Sequence, residues 1–108
     1  MANKPLKGIN FPGLEDTYTV LSMSNGTVTL VASNWYLNTD GLYQIDCESV
    51  DYVAADVTVV VAPNPATENF NAYIENGVRC IDQGVETLAF VANTQPTVDI
   101  TVNYTVFA

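Results

Sequence analysis

The chain has 108 residues, 48% of them apolar and only 14% charged. That composition excludes intrinsic disorder and suits one domain with a single core. Twelve acids against three bases, with no histidine, give a formal charge of −9, which sets aside nucleic acid and anionic membrane surfaces as direct partners. The missing histidine also removes the usual proton-transfer group of neutral-pH catalysis.

In chain order, "MANKPLKGINFPGLEDTY" carries Lys4 and Lys7 near its start but no apolar run after them. Without such a run no export signal is read, and the expectation is a protein made in the cytoplasm. Residues 1–13 read as a short extended segment ahead of a single domain spanning the rest of 1–108. The two lysines could form a docking tail, although a solvated terminus is the simpler reading. "DTYTVLSM" (16–23) reads as a strand, at an edge. A turn over Ser24–Gly26 leads into a second strand, "GTVTLVAS" (26–33). After the "NTDG" turn (38–41), "LYQIDCE" (42–48) makes a third. The run "VTVVVA" (57–62) reads as a strand covered on both faces and ended by Pro63; it is far too short to cross a bilayer.

One stretch breaks the β pattern. "NPATENFNAYIENG" (64–77) offers Asn64 as N-cap, Pro65 at the first helical position and Gly77 just past the end. Phe70, Tyr73 and Ile74 supply an apolar stripe for a short helix near 65–76. Two more strands follow, "ETLAFVA" (86–92) and the alternating "VDITVNYTV" (98–106), with "NTQP" (93–96) as the turn of an antiparallel hairpin. The fold expected is mostly β: one antiparallel sandwich or small barrel of about six to seven strands with a single short helix.

Chemistry is sparse. Arg79 adjoins Cys80, but a nucleophilic thiolate wants a histidine, a helix N-terminus or a close cation. Here the helix would present its negative C-terminal end. On a strand, Val78 and Cys80 point inward while Arg79 points out, so Cys80 reads as a packed thiol. Cys47 and Cys80 follow no CxxC or zinc spacing and read as free thiols, with a disulfide between them left open. Asp46, Glu48, Asp51 and Asp56 could be Ca²⁺ ligands, yet no EF-hand pattern frames them, and alternation puts Asp46 and Glu48 on the wet face opposite Ile45 and Cys47. Phosphate loops, Ser/His/Asp sets and carboxylate pairs are missing. No catalytic, cofactor or metal residue is assigned, and the expectation is a non-enzyme. Trp35, Tyr36 and Tyr43 surround a polar turn, a composition shared with sugar-binding loops. The competing and stronger reading makes Trp35 the core aromatic and the tyrosines its flanks.

Several blocks resemble a small β-domain of tail-fibre and other virion proteins from phages and prophages of gut Clostridia-like bacteria. They are "FPGLEDTYTV" (11–20), "VTLVASNW" (28–35), "GLYQ" (41–44), "VVAPNP" (60–65), "GVRCIDQGVETLAF" (77–90) and "PTVDITVNY" (96–104). The resemblance runs from Ile9 onward and carries no catalytic residue across. It implies a virion structural module that contacts capsid or tail proteins and its own copies, as a homotrimer around a fibre axis. Family members sit at the end of a longer fibre, and no shaft sequence precedes the domain here. That departure favours an accessory part, a head decoration or small baseplate component, over a receptor-binding tip. A carbohydrate-binding module for host attachment, built on the Trp35–Tyr43 turn, is the alternative.

Overall fold

The computed structural model describes residues 22–108. Seven strands lie in this span: β1 Met23–Leu30, β2 Tyr36–Leu37, β3 Tyr43–Cys47, β4 Thr58–Pro63, β5 Arg79–Gly84, β6 Thr87–Ala92 and β7 Ile100–Phe107, with helix α1, Thr67–Glu75, between β4 and β5. They form a β-sandwich of two antiparallel sheets, ordered β1-β7-β4 and β2-β3-β6-β5. The strict alternation of β7 sends Ile100, Val102, Tyr104 and Val106 into the core, where they meet Leu30, Trp35, Ile45, Leu88 and Phe90.

The strand expected over 16–23 falls outside the described residues except at its end. There Ser22 and Ala108 exchange backbone hydrogen bonds at 3.0 Å and Met23 opens β1. The turn expected at Ser24–Gly26 is strand instead. Gly26 pairs with Tyr104, whose ring lies over it so closely that a Cβ would come within 2.7 Å of the Tyr104 Cε2. The Tyr104 hydroxyl then reaches the Asp51 carbonyl at 3.1 Å, tying down the loop after β3. Glycine here makes room for a ring and needs no turn. Gly26→Ala is expected to lose about 1–3 kcal/mol through overpacking, read as a lower urea midpoint with an unchanged slope. β1 also stops at Leu30, short of residue 33. A 3-10 turn at Ala32–Asn34 follows, and Asp99 Oδ1 accepts the Ala32 N–H at 2.8 Å.

The hairpin expected between 86–92 and 98–106 does not form. β6 lies between β3 and β5, whereas β7 lies between β1 and β4 in the opposite sheet. The linking residues are claimed by other partners: Asn93 and Thr94 donate their amides to Asn76 O, Thr94 Oγ1 bonds Asn76 Oδ1 at 2.7 Å, and Pro96 is fully buried. The link is thus an inter-sheet crossover. β4 is likewise not covered on both faces. It is an edge strand with Val59 and Val61 turned inward and Val60 53% exposed.

The helix begins two residues later than the cap pattern suggests, with Ala66 as N-cap. Asn64 is still a rung of the β4–β7 ladder, donating its amide to Thr101 O at 3.0 Å. It also folds its side chain onto the Ala66 amide at 3.2 Å. Asn69 supplies the anchor. Its Nδ2 donates to Asn64 O and Thr101 O, both at 2.9 Å, and its Oδ1 accepts the Thr101 amide at 2.6 Å. The amide side chain therefore continues the ladder where β4 ends. The apolar stripe is also corrected: Tyr73 and Ala72 pack on the core, while Phe70 and Ile74 are 45% and 57% exposed. Gly77, at φ 67, ends the helix as the sequence suggests.

Candidate functional site

Arg79 and Cys80 diverge. The Arg79 guanidinium donates to Gly77 O at 2.7 Å and Asn93 Oδ1 at 3.3 Å, a cation placed at the C-terminal end of α1 where the helix dipole favours it. Cys80 turns toward the core with Val78, and its Sγ contacts Asp82 O at 3.7 Å. Burial raises the Cys80 thiol above its ordinary value, and a hydrogen bond with Asp82 only partly offsets this. Burial likewise pushes the Cys47 thiol up to about 11, with Asp46 and Cys80 adding to the effect. Neither thiol is set up as a nucleophile.

The two cysteines are free. Cys47 on β3 pairs with Leu88 and Cys80 on β5 pairs with Phe90, on opposite sides of β6. Two ladder spacings of about 4.8 Å separate their backbones by more than the ~7 Å a disulfide spans. A thiol whose folded pKa is raised stabilises the fold below its unfolded pKa, and that contribution is lost as pH rises through the folded value. Stability is therefore expected to fall between about pH 9 and pH 11. Cys47→Ala should flatten that slope, read from urea midpoints taken across the range.

The three aromatics of the turn do not share a surface. Trp35 is 5% exposed in the core, and its indole Nε1 has no partner among the described residues. Tyr43 is half-buried and packs against the same core. Tyr36 alone lies on the outer face, beside Gln44, its partner across the ladder. Its hydroxyl donates to Asp46 Oδ2 at 2.6 Å, Gln44 Nε2 donates to Asp46 Oδ1 at 2.8 Å, and Asn38 Nδ2 donates to Gln44 Oε1 at 3.1 Å. Donating to Asp46 raises the Tyr36 phenol above its ordinary value. The turn beneath is fixed by Asn38 Oδ1, which accepts the Asp40 and Leu42 amides, and by Gly41 at φ 83.

The acids are spread out. Asp46 and Glu48 project to solvent as alternation requires, and no group of three or more cysteine or carboxylate ligands gathers among the described residues. An open hollow of about 620 Å³ beside α1 is lined by Glu68, Asn69, Ala72 and Glu75 of the helix and by Val98 and Asp99 of the link before β7.

The most distinctive surface was not singled out by the sequence reading. Between edge strand β4 of one sheet and edge strand β5 of the other runs a groove of about 490 Å³, with Val59, Val61 and Tyr73 on one side and Arg79, Cys80, Ile81 and Asp82 on the other. One end is closed by Gln83, whose Nε2 donates to Ala54 O at 2.8 Å and Val57 O at 2.7 Å. On β5 the register slips between Cys80 and Asp82, so Ile81 bulges outward at 51% exposure. The edges are unequal. β2 has two residues, and β5 is bulged and carries Arg79 and Asp82, devices that blunt an edge against further pairing. β4 reads Thr-Val-Val-Val-Ala-Pro, with neither charge nor glycine. The Val-rich run that suggested a buried strand is equally the run expected of a strand awaiting a neighbour; its lack of flanking lysines was the available sign.

Comparison with known proteins adds nothing to this geometry: no family model, curated protein or solved structure matches the chain.

Proposed function

We propose that this protein is a non-enzymatic structural or accessory component of a phage particle, a head decoration or a small tail or baseplate part, that works by binding particle proteins and its own copies. The observation that carries the protein-binding half of this reading is the uncharged edge of β4, which no described strand covers on its outer side, beside a groove walled by Val59 and Val61, since strand edges of that kind on small domains serve protein contacts. The particle setting is supported by the block-by-block resemblance.

A second reading, attachment to glycans, is favoured by one feature: the exposed Tyr36 ring beside the Asn38–Gln44–Asp46 hydrogen-bonding row. Aromatic rings flanked by carboxylate and amide groups suit sugar faces and hydroxyls. The test separates the two. Particles from the source lysate are banded on a density gradient and probed with antibody to the protein, and the purified protein is titrated against a glycan panel. Protein that stays with intact particles through a high-salt wash is the expected result. Particles free of it, in a lysate that contains it, would overturn the virion reading, and heat released on glycan addition and lost in Tyr36→Ala would replace it with the second.

A further inference from the structure

We infer that β4 is a self-pairing edge: β4 of one copy adds antiparallel to β4 of a second copy across a two-fold axis at Val60, joining two three-stranded sheets into one. The inference rests on the assembly reading and names its contact.

The ladder determines which backbone groups are open. Ser22 and Ala108 exchange both hydrogen bonds, so every second residue of β7 back from Ala108 bonds β1. The intervening residues bond β4, as Asn64 N donating to Thr101 O confirms at the far end. Thr58, Val60 and Ala62 therefore face β7, and the N–H and C=O groups of Val59 and Val61 face outward. Their side chains, by contrast, point to the core, while Val60 stands exposed on the outer face.

Hydrogen-bonding and charge patterns both select one occupant and one register. With Val60 opposite Val60, each Val59 exchanges N–H···O bonds with Val61 of the second copy. Val57 then faces Pro63. Proline has no N–H to give, and the Val57 carbonyl needs none because Gln83 already donates to it. The proline at one end of the strand thus meets the bend at Val57 ahead of the other, where the carbonyl is already bonded. Asp56, the nearest acid before β4, lies in a turn outside the strand, so the paired segment itself carries no acid. On a chain of formal charge −9, an uncharged strand is where two copies approach at least electrostatic cost. The inward-facing valines of the added strand also extend over the groove, covering Cys80 and Ile81, which the chain leaves partly open.

The test is sedimentation velocity on the purified protein at rising concentration, in low and high salt. A two-copy species that strengthens with salt is expected, because screening weakens the repulsion between like-charged bodies. Two substitutions abolish it without touching the single-chain fold. Val60→Lys sets two cations against each other across the axis. Val61→Pro removes an N–H that has no ladder partner among the described residues. Both should sediment as single chains, with thermal midpoints near that of the dilute wild type, while Thr27→Lys on β1 should keep the pairing. Val60→Cys should cross-link two copies under mild oxidation, since facing residues of a non-hydrogen-bonded pair lie ~4.5 Å apart, within disulfide reach. A wild type that stays single at all concentrations overturns the pairing. So does a trimer, or any oligomer indifferent to both Val60→Lys and Val61→Pro. Protein that is single in solution yet banded with particles would sink the pairing and leave the assembly reading standing.

Discussion

Trp35→Ala is expected to destabilise the fold by about 3–5 kcal/mol, a large share of the roughly 5–15 kcal/mol that holds a domain of this kind together. The indole is 5% exposed and packs within the cluster that joins the two sheets, so truncation opens a cavity where they meet. The same residue has a compensating flaw. Its Nε1 is buried without a partner among the described residues, and an unpaired buried donor costs on the order of 1–3 kcal/mol. Trp35→Phe removes that donor along with part of the ring and should therefore lose much less than the alanine variant. Urea unfolding followed by far-ultraviolet circular dichroism distinguishes the pair. If Trp35→Ala left stability intact while weakening glycan binding, the indole would be a binding platform and the packing described here would be wrong.

Asn69→Asp is the second large effect. The substitution keeps the shape of the side chain but turns a donor into an acceptor aimed at two carbonyls, Asn64 O and Thr101 O. The Thr101 amide keeps its bond and Thr101 O keeps the Asn64 N–H, yet Asn64 O loses its donor and both half-buried carbonyls gain a negative neighbour. A loss of about 3 kcal/mol follows from the cost of stranding such groups. The introduced carboxyl should have its pKa raised, because only its protonated form can donate. The variant is therefore most stable below its unfolded pKa and loses stability as pH rises through the folded value. Asn69→Ala, which also removes the acceptor of the Thr101 amide but adds no charge, should show no such dependence. Urea midpoints at several pH values between 4 and 7 provide the readout. Equal midpoints for Asn69→Asp and the wild type would mean that α1 is held to the sheet by apolar packing alone.

These two positions also mark how far the sequence could be read. The alternation of β7 and of β3 is visible in the letters, because a strand with one wet face repeats every two residues. The burial of Ile45, Cys47, Ile100, Val102, Tyr104 and Val106 was accordingly legible. The partner of each strand was not. Asn93–Asp99 looks like a hairpin turn, and only the bonds of Asn93 and Thr94 to Asn76, with Asp99 to Ala32, reveal a crossover. Gly26 looks like a turn and is a seat for the Tyr104 ring. Asn69 carries no motif at all; its three bonds exist only because α1 lies against the end of β4. The candidate site was partly legible. Alternation across the β2–β3 hairpin puts Tyr36 outside and Tyr43 inside, but the exposed edge of β4 emerges only with the strand order, since a run of valines fits a buried strand and an unpaired one alike.

That the domain acts through the open edge of β4 is tested most directly by backbone amide exchange, followed by nuclear magnetic resonance at several protein concentrations. Val60 is the internal standard, because its amide faces Thr105 on β7 in every state. In dilute protein the Val59 and Val61 amides should exchange quickly while Val60 is protected. As concentration rises, Val59 and Val61 should slow until they match it. Val59 and Val61 amides that exchange at one rate under all of these conditions would contradict an edge that takes up a partner strand.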